Sequence, residues 1–226
     1  MINKEMMDQI NQDYEQHLNH RLGLVGEALN NGNMEEAASL IRFSGNFGHC
    51  SQFLLKCFYD RFSDRELYPL IINVYVNDGY DFPKQLIMKA KKIRPEDRFE
   101  KPLEEEYGYE QFNDMPEGDI WTVYRATYNP IEKVKYDPSW TIDLGCAAWF
   151  ANRPKRFDQE PMSLYKAKIK KADVIAYTDD RSEKEVIQYR SVYDIEQIYL
   201  SEDEMLAQIE ERAKKGKARR QKLLGH

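Results

Sequence analysis

Hydrophobic positions along the first third of the chain recur at helical spacing. From Ile10, apolar residues return at Tyr14, Leu18, Leu22, Val25 and Leu29, steps of three and four that line one helical face. Asn30-Asn31-Gly32-Asn33 ends that helix, because Gly and Asn tolerate the left-handed conformation of a helix end. A second helical pattern starts at Glu35, breaks near Ser44-Gly45-Asn46 and resumes through Phe53, Leu54, Phe58 and Phe62. A third runs from Asp64 to Val76 and closes on Asn77-Asp78-Gly79. Pro83 suits the first turn of a fourth, Lys84 to Ile93, which Pro95 stops. The turns at Gly32 and Gly79 lie 47 residues apart between helices, a faint echo of a helical repeat.

After Asp119 the period changes to two. Asp119 to Thr127, Ser163 to Ile169, Asp173 to Thr178, Glu185 to Arg190 and Val192 to Leu200 read as strands rich in Val, Ile, Tyr and Thr. Asp143 to Asn152 reads as a short helix between the first two. Glu202 to Lys222 reads as a terminal helix, acidic at its start and basic at its end. That order suits the helix dipole; a secondary reading makes the basic end a tail that touches nucleic acid. Between the two halves, residues 96–119 carry ten acids and two bases, with Pro102 and Pro116, and read as a linker or exposed lid. The expected domains are a helical recognition or regulatory domain at 1–95, the acidic linker at 96–118 and a strand-rich domain at 119–226.

Composition narrows the class. Hydrophobic residues make up 42% and charged residues 32% of the 226, enough apolar material for a core. The formal charge of -6 argues against a wholesale nucleic-acid coat. Cys50, Cys57 and Cys146 are too few for a disulfide framework and form no C-x-x-C pair, so a reducing compartment and no metal site are expected. The opening residues lack a basic stretch followed by an apolar run, and no apolar run is long enough to span a bilayer. The expected location is cytoplasmic, with no membrane partner.

Three short elements carry chemistry. In Trp121-Thr122-Val123-Tyr124-Arg125-Ala126, alternation puts Arg125 on the face of Trp121 and Val123. A guanidinium there needs an anion, either a ligand's or an internal carboxylate's. Ser139-Trp140-Thr141 leads into the short helix, whose N-cap is Thr141 or Asp143. Its hydroxyl pair beside Trp140, Trp149 and Phe150 suits either a core or an aromatic ring ligand. In Glu183-Lys184-Glu185-Val186-Ile187, two glutamates stand two apart at the head of a strand and are expected on one side, with Lys184 pointing away. Such a pair repels unless something cationic or polar lies between.

Strand arginine, Ser-x-Thr before a helix ending in Phe-Ala, then Glu-x-Glu-Val-Ile, in that order, resembles the R-S-E class of mono-ADP-ribosyltransferases, which includes binary-toxin and phage-encoded arginine-type enzymes. The resemblance covers residues 119–200. It implies an α+β protein in which the helical domain precedes an ADP-ribosyltransferase-like pair of packed, mostly antiparallel β-sheets with NAD in the cleft. It implies that Arg125 holds the NAD pyrophosphate, Ser139 orients the catalytic glutamate, and Thr141 supports the nicotinamide pocket. Trp140 and Phe150 would pack on the nicotinamide or its ribose, Glu185 would be the catalytic carboxylate, and Glu183 would face the acceptor. The toxins' usual Ser-Thr-Ser is replaced here by Ser139-Trp140-Thr141, which keeps a hydroxyl at the third position.

The activity so implied is transfer of ADP-ribose from NAD to a macromolecular acceptor, a protein and possibly its arginine, without a metal. The setting would be an intracellular toxin, effector, toxin-antitoxin or phage-defence component, its helical domain engaging an antitoxin or regulatory partner. Two variants keep the chemistry, with RNA or DNA as acceptor or water in an NAD glycohydrolase. A reading from another class is a non-catalytic helical interaction protein.

Overall fold

The computed structural model describes residues 4–43, 50–77, 82–99, 115–153, 162–179 and 183–224, with the side chains of 4–10 and 218–224 left aside. The chain divides into two compact units, Met1–Pro95 and Glu96–His226.

The first unit is helical. α1 (Lys4–Asn30) ends where Gly32 turns left-handed at φ 74°, a conformation that costs glycine nothing. Asn33 then caps α2 (Met34–Arg42), accepting the Glu36 N–H at 3.2 Å. α3 (Cys50–Phe58) and a single 3₁₀ turn lead to Ser63, which forms a reciprocal capping box with Glu66 at the head of α4 (Asp64–Asn77). Leu67, Tyr68, Leu70, Ile71, Ile72, Val74, Tyr75 and Val76 are all buried, so α4 is apolar nearly all round and forms the unit's centre. α5 (Lys84–Ile93) packs beside it through Leu86, Ile87 and Ala90. The break at 44–46 and the echo at Gly79 fall outside the described residues, as does 100–114, most of the expected acidic linker.

The second unit is α+β. Its strands are β1 (Ile120–Thr127), β2 (Ser139–Thr141), β3 (Ser163–Lys170), β4 (Ala176–Thr178), β5 (Glu185–Ile187) and β6 (Tyr193–Ile198). They pair antiparallel throughout in the order β4-β5-β2-β1-β3-β6. The expected pair of packed sheets is therefore corrected: among the described residues there is one open six-stranded sheet. The reason lies in β1, which pairs with β2 on one edge and β3 on the other and so joins what would have been two sheets.

Each face of this sheet has its own cover. On one face Trp121, Val123, Trp140, Tyr165, Ala167, Ile169, Tyr177 and Val186 form the main core, with Val134 of the short α6 (Ile131–Val134) and the ring of Phe99 against them. Phe99 lies 5.7 Å from Trp121, and Arg98 donates to the carbonyls of Lys171, Ala172 and Val174. On the other face, Ala126 and Leu164 pack against Ala147 of α7 (Leu144–Ala151), flanked by Tyr124 and Phe150. α8 (Glu202–Leu224) in turn covers α7. Its half-buried positions Met205, Gln208, Ile209, Arg212 and Gly216 follow helical spacing, and Ser201 with Glu204 closes its first turn. Among the described residues no helix is long and apolar enough to cross a membrane.

Candidate functional site

Strand register decides which side chains meet. Thr178 pairs with Glu185, Glu185 with Thr141, and Thr141 with Tyr124, so these four share one face, the one that α7 covers. Ser139, two residues from Thr141, shares it too. Between this face and α7 lies a cleft with about 290 Å³ of empty space, part of it open to solvent. Tyr124, Ser139, Thr141, Cys146, Phe150, Glu183 and Glu185 all line it. All seven residues singled out from the sequence line this cleft, and strand register puts the side chains of Ser139, Thr141 and Glu185 on its face.

Glu185 is 7% exposed and sits between the threonines of two neighbouring strands. Glu183 does not reach the cleft by strand alternation, as the sequence suggested. Lys184 turns left-handed at φ 48°, so β5 begins only at Glu185 and Glu183 belongs to the preceding connection. That turn is held on both sides. The Lys184 N–H donates to Asp179 Oδ1 at 3.2 Å, and its carbonyl accepts the Ile142 N–H at 3.2 Å. The Thr141 hydroxyl donates to the Glu183 carbonyl at 2.6 Å and accepts the Asp143 N–H at 3.0 Å. Thr141 therefore ties the end of β2, the start of α7 and the glutamate connection together. The N-cap of α7 is Asp143, whose carboxylate accepts the Cys146 N–H.

Two of the sequence-derived residues line the cleft and also have partners on the core face. Trp140 borders the cleft as part of its strand floor, but its indole is 1% exposed in the main core and donates to the Asp137 carbonyl at 3.1 Å. Arg125 likewise belongs to the strand floor, yet it pairs in register with Tyr165 of the core face, and its Nε lies 3.5 Å from Asp137 Oδ2. The internal carboxylate, one of the two partners the sequence left open, lies beside this guanidinium, whose side chain stays 30% exposed.

One cation that sequence reading passed over lies against a cleft-lining ring. The exposed Arg153 guanidinium stacks 4.2 Å from the Phe150 ring and 4.0 Å from Trp149. Its signal was there as an i, i+3 pair, Phe150 to Arg153, at the end of a helix.

Cys146, at the cleft's α7 wall, is buried, and burial pushes its thiol up to about 12. Arg212 of α8 opposes that rise, whereas Glu183 and Asp143 reinforce it. The thiolate is the reactive form, so iodoacetamide at neutral pH is expected to label exposed Cys57 and to spare Cys146. Peptide mapping checks this, and rapid labelling of Cys146 would contradict it. The same shift sets a sign for alkaline stability. The folded state holds the proton longer than the unfolded one, so stability is whole below the ordinary thiol value of 9.0 and drains as pH climbs toward 12.

Compared with known proteins, the chain matches no family model, no curated protein and no solved structure.

Proposed function

We propose that the chain is a mono-ADP-ribosyltransferase that cleaves NAD at the nicotinamide–ribose bond and passes ADP-ribose to a macromolecule. One observation carries this reading: Ser139 and Thr141 of β2, the Glu183–Glu185 pair and Phe150 of α7 converge on a single cleft. Breaking the nicotinamide bond builds positive charge on the ribose. A fixed, poorly solvated carboxylate such as Glu185 stabilises that charge more in the transition state than in the ground state.

The residues fit the substrate unevenly. Glu185 supplies the anion, Ser139 supplies a hydroxyl, Thr141, whose proton goes to the Glu183 carbonyl, keeps acceptor capacity alone, and the Phe150 ring gives a planar base a wall to lie on. Arg153, stacked on that ring, is the cation this reading assigns to the phosphates. This reading does not give that role to Arg125, whose Nε lies 3.5 Å from Asp137 Oδ2. Glu183, half-buried at the cleft, is the residue nearest the acceptor in this reading, and the helical unit is the module that recognises the acceptor or a neutralising partner.

The test is to incubate the protein with labelled NAD and a whole-cell extract, then sort the label by protease and nuclease sensitivity. Protease-sensitive label is expected, and Glu183→Gln is expected to keep nicotinamide release while losing most of that label. Nuclease-sensitive label would name a nucleic acid as acceptor, and free ADP-ribose would mean hydrolysis. Neither label nor nicotinamide release from the wild type would refute the reading.

A further inference from the structure

We propose that Arg125 is a positioning residue. It acts through Asp137 to fix the register of β2 and β5, and so the placement of Ser139 and Glu185, instead of binding the ligand itself. The catalytic part of this inference rests on the function proposed above; the structural part does not.

The strands that carry Ser139, Thr141 and Glu185 are three residues each. So short a ladder offers few backbone bonds to resist slippage, and a slip of one residue would turn every side chain to the other face. What holds these strands is a polar hub at the Ser139 end. The Asp137 carbonyl accepts the Trp140 indole N–H from β2 at 3.1 Å and the side-chain amide of Gln188, just after β5, at 2.5 Å. Gln188 is fully buried; its own N–H donates to Pro138, and its amide oxygen accepts the Ser191 N–H. The Asp137 carboxylate is held by Asn129, whose amide donates to Oδ1 at 2.7 Å, and by the Arg125 guanidinium at Oδ2. Tyr165 of β3 donates to the Asn129 carbonyl at 3.1 Å. One aspartate thus joins β1, β2 and the end of β5.

Charge is what keeps it there. The Asp137 side chain is 11% exposed, and its Oδ2 finds no hydrogen bond beyond the ion pair to Arg125. Removing the guanidinium leaves a nearly buried carboxylate without its counter-charge, which favours a turn of Asp137 toward water. That turn is expected to pull its backbone carbonyl from Trp140 and Gln188. Removing the carboxylate's charge as well lifts that penalty, so the two positions should be strongly coupled.

The experiment compares wild type, Arg125→Met, Asp137→Asn, the double variant and Arg125→Lys, all full-length. Two readouts are used: NAD-cleavage kinetics and amide hydrogen exchange at Trp140, Thr141, Val186 and Ile187. Arg125→Met is expected to lower kcat at least about tenfold with KM for NAD nearly unchanged, and to speed exchange in β2 and β5 by a similar factor. The double variant should recover most of both losses. Arg125→Lys, which keeps the cation beside Asp137, should stay within about threefold of wild type. A KM that rises tenfold in Arg125→Met regardless of the residue at 137, with exchange unchanged, would overturn the proposal in favour of a ligand contact. Should the wild type cleave no NAD, coupled exchange would still uphold the positioning role while the enzyme reading fails; uncoupled exchange would sink it.

Discussion

Glu185→Gln is expected to cut nicotinamide release from NAD by about a hundred- to a thousand-fold while leaving the protein folded. Gln has the shape of Glu and keeps a carbonyl oxygen, so the row Thr178–Glu185–Thr141 loses its charge and keeps its shape. Circular dichroism and the melting temperature should stay close to wild type, since a nearly buried amide costs less desolvation than a carboxylate. Turnover should collapse because the interaction lost is the one that grows as the ribose becomes cationic. The loss should fall on kcat with KM for NAD little moved, the pattern of an interaction made only in the transition state. Unchanged turnover would remove Glu185 from the catalytic role and with it the central argument for a transferase. Loss of activity together with loss of fold would mean that the carboxylate is a structural group of β5.

How far the sequence foretold this site depends on what each inference needed. The helices of the first unit were readable because spacing of three and four and the turn at Gly32 are local signals. The strands β1 and β3 were readable because eight residues show a period. β2 was not: three residues cannot show one, and Ser139-Trp140-Thr141 read as the lead-in to α7. The parity of Arg125 was correct as read, on the face of Trp121 and Val123. What alternation could not give was the face of Ser139 and Glu185, which sit on other strands. Only the pairing of Tyr124 with Thr141 and of Thr141 with Glu185 shows that they take the parity of Tyr124, opposite to that of Arg125. The same non-local pairing decides between one sheet and two. Lys184 adds a local surprise, because a lysine carries no sequence sign of a left-handed turn.

Gly145→Ala is expected to destabilise the second unit, although alanine ordinarily favours a helix over glycine by about 1 kcal/mol. Gly145 stands in the first turn of α7, where α8 crosses it. A Cβ there would come within 2.6 Å of the Gln208 carbonyl oxygen, 3.0 Å of Arg212 Cβ and 3.1 Å of Asp143 Oδ1. The first of these is helix backbone, which cannot step aside alone, so α8 must move as a body. Forced repacking of this kind costs about 1–3 kcal/mol, which lowers the melting temperature by several degrees for a unit of this size. The displacement has a chemical readout too. Arg212 would leave its place 5.3 Å from the Trp149 ring, and the cover over Cys146 would loosen. Cys146 should then become open to iodoacetamide, and the Phe150–Arg153 wall should lose its setting, raising KM for NAD. Gly216→Ala is the matched control, since nothing lies within 4 Å of a Cβ built there. It should leave stability unchanged or raise it by helix propensity alone. If Gly145→Ala proved as stable as Gly216→Ala, with Cys146 still protected, α8 would not be the element that holds the cleft wall closed.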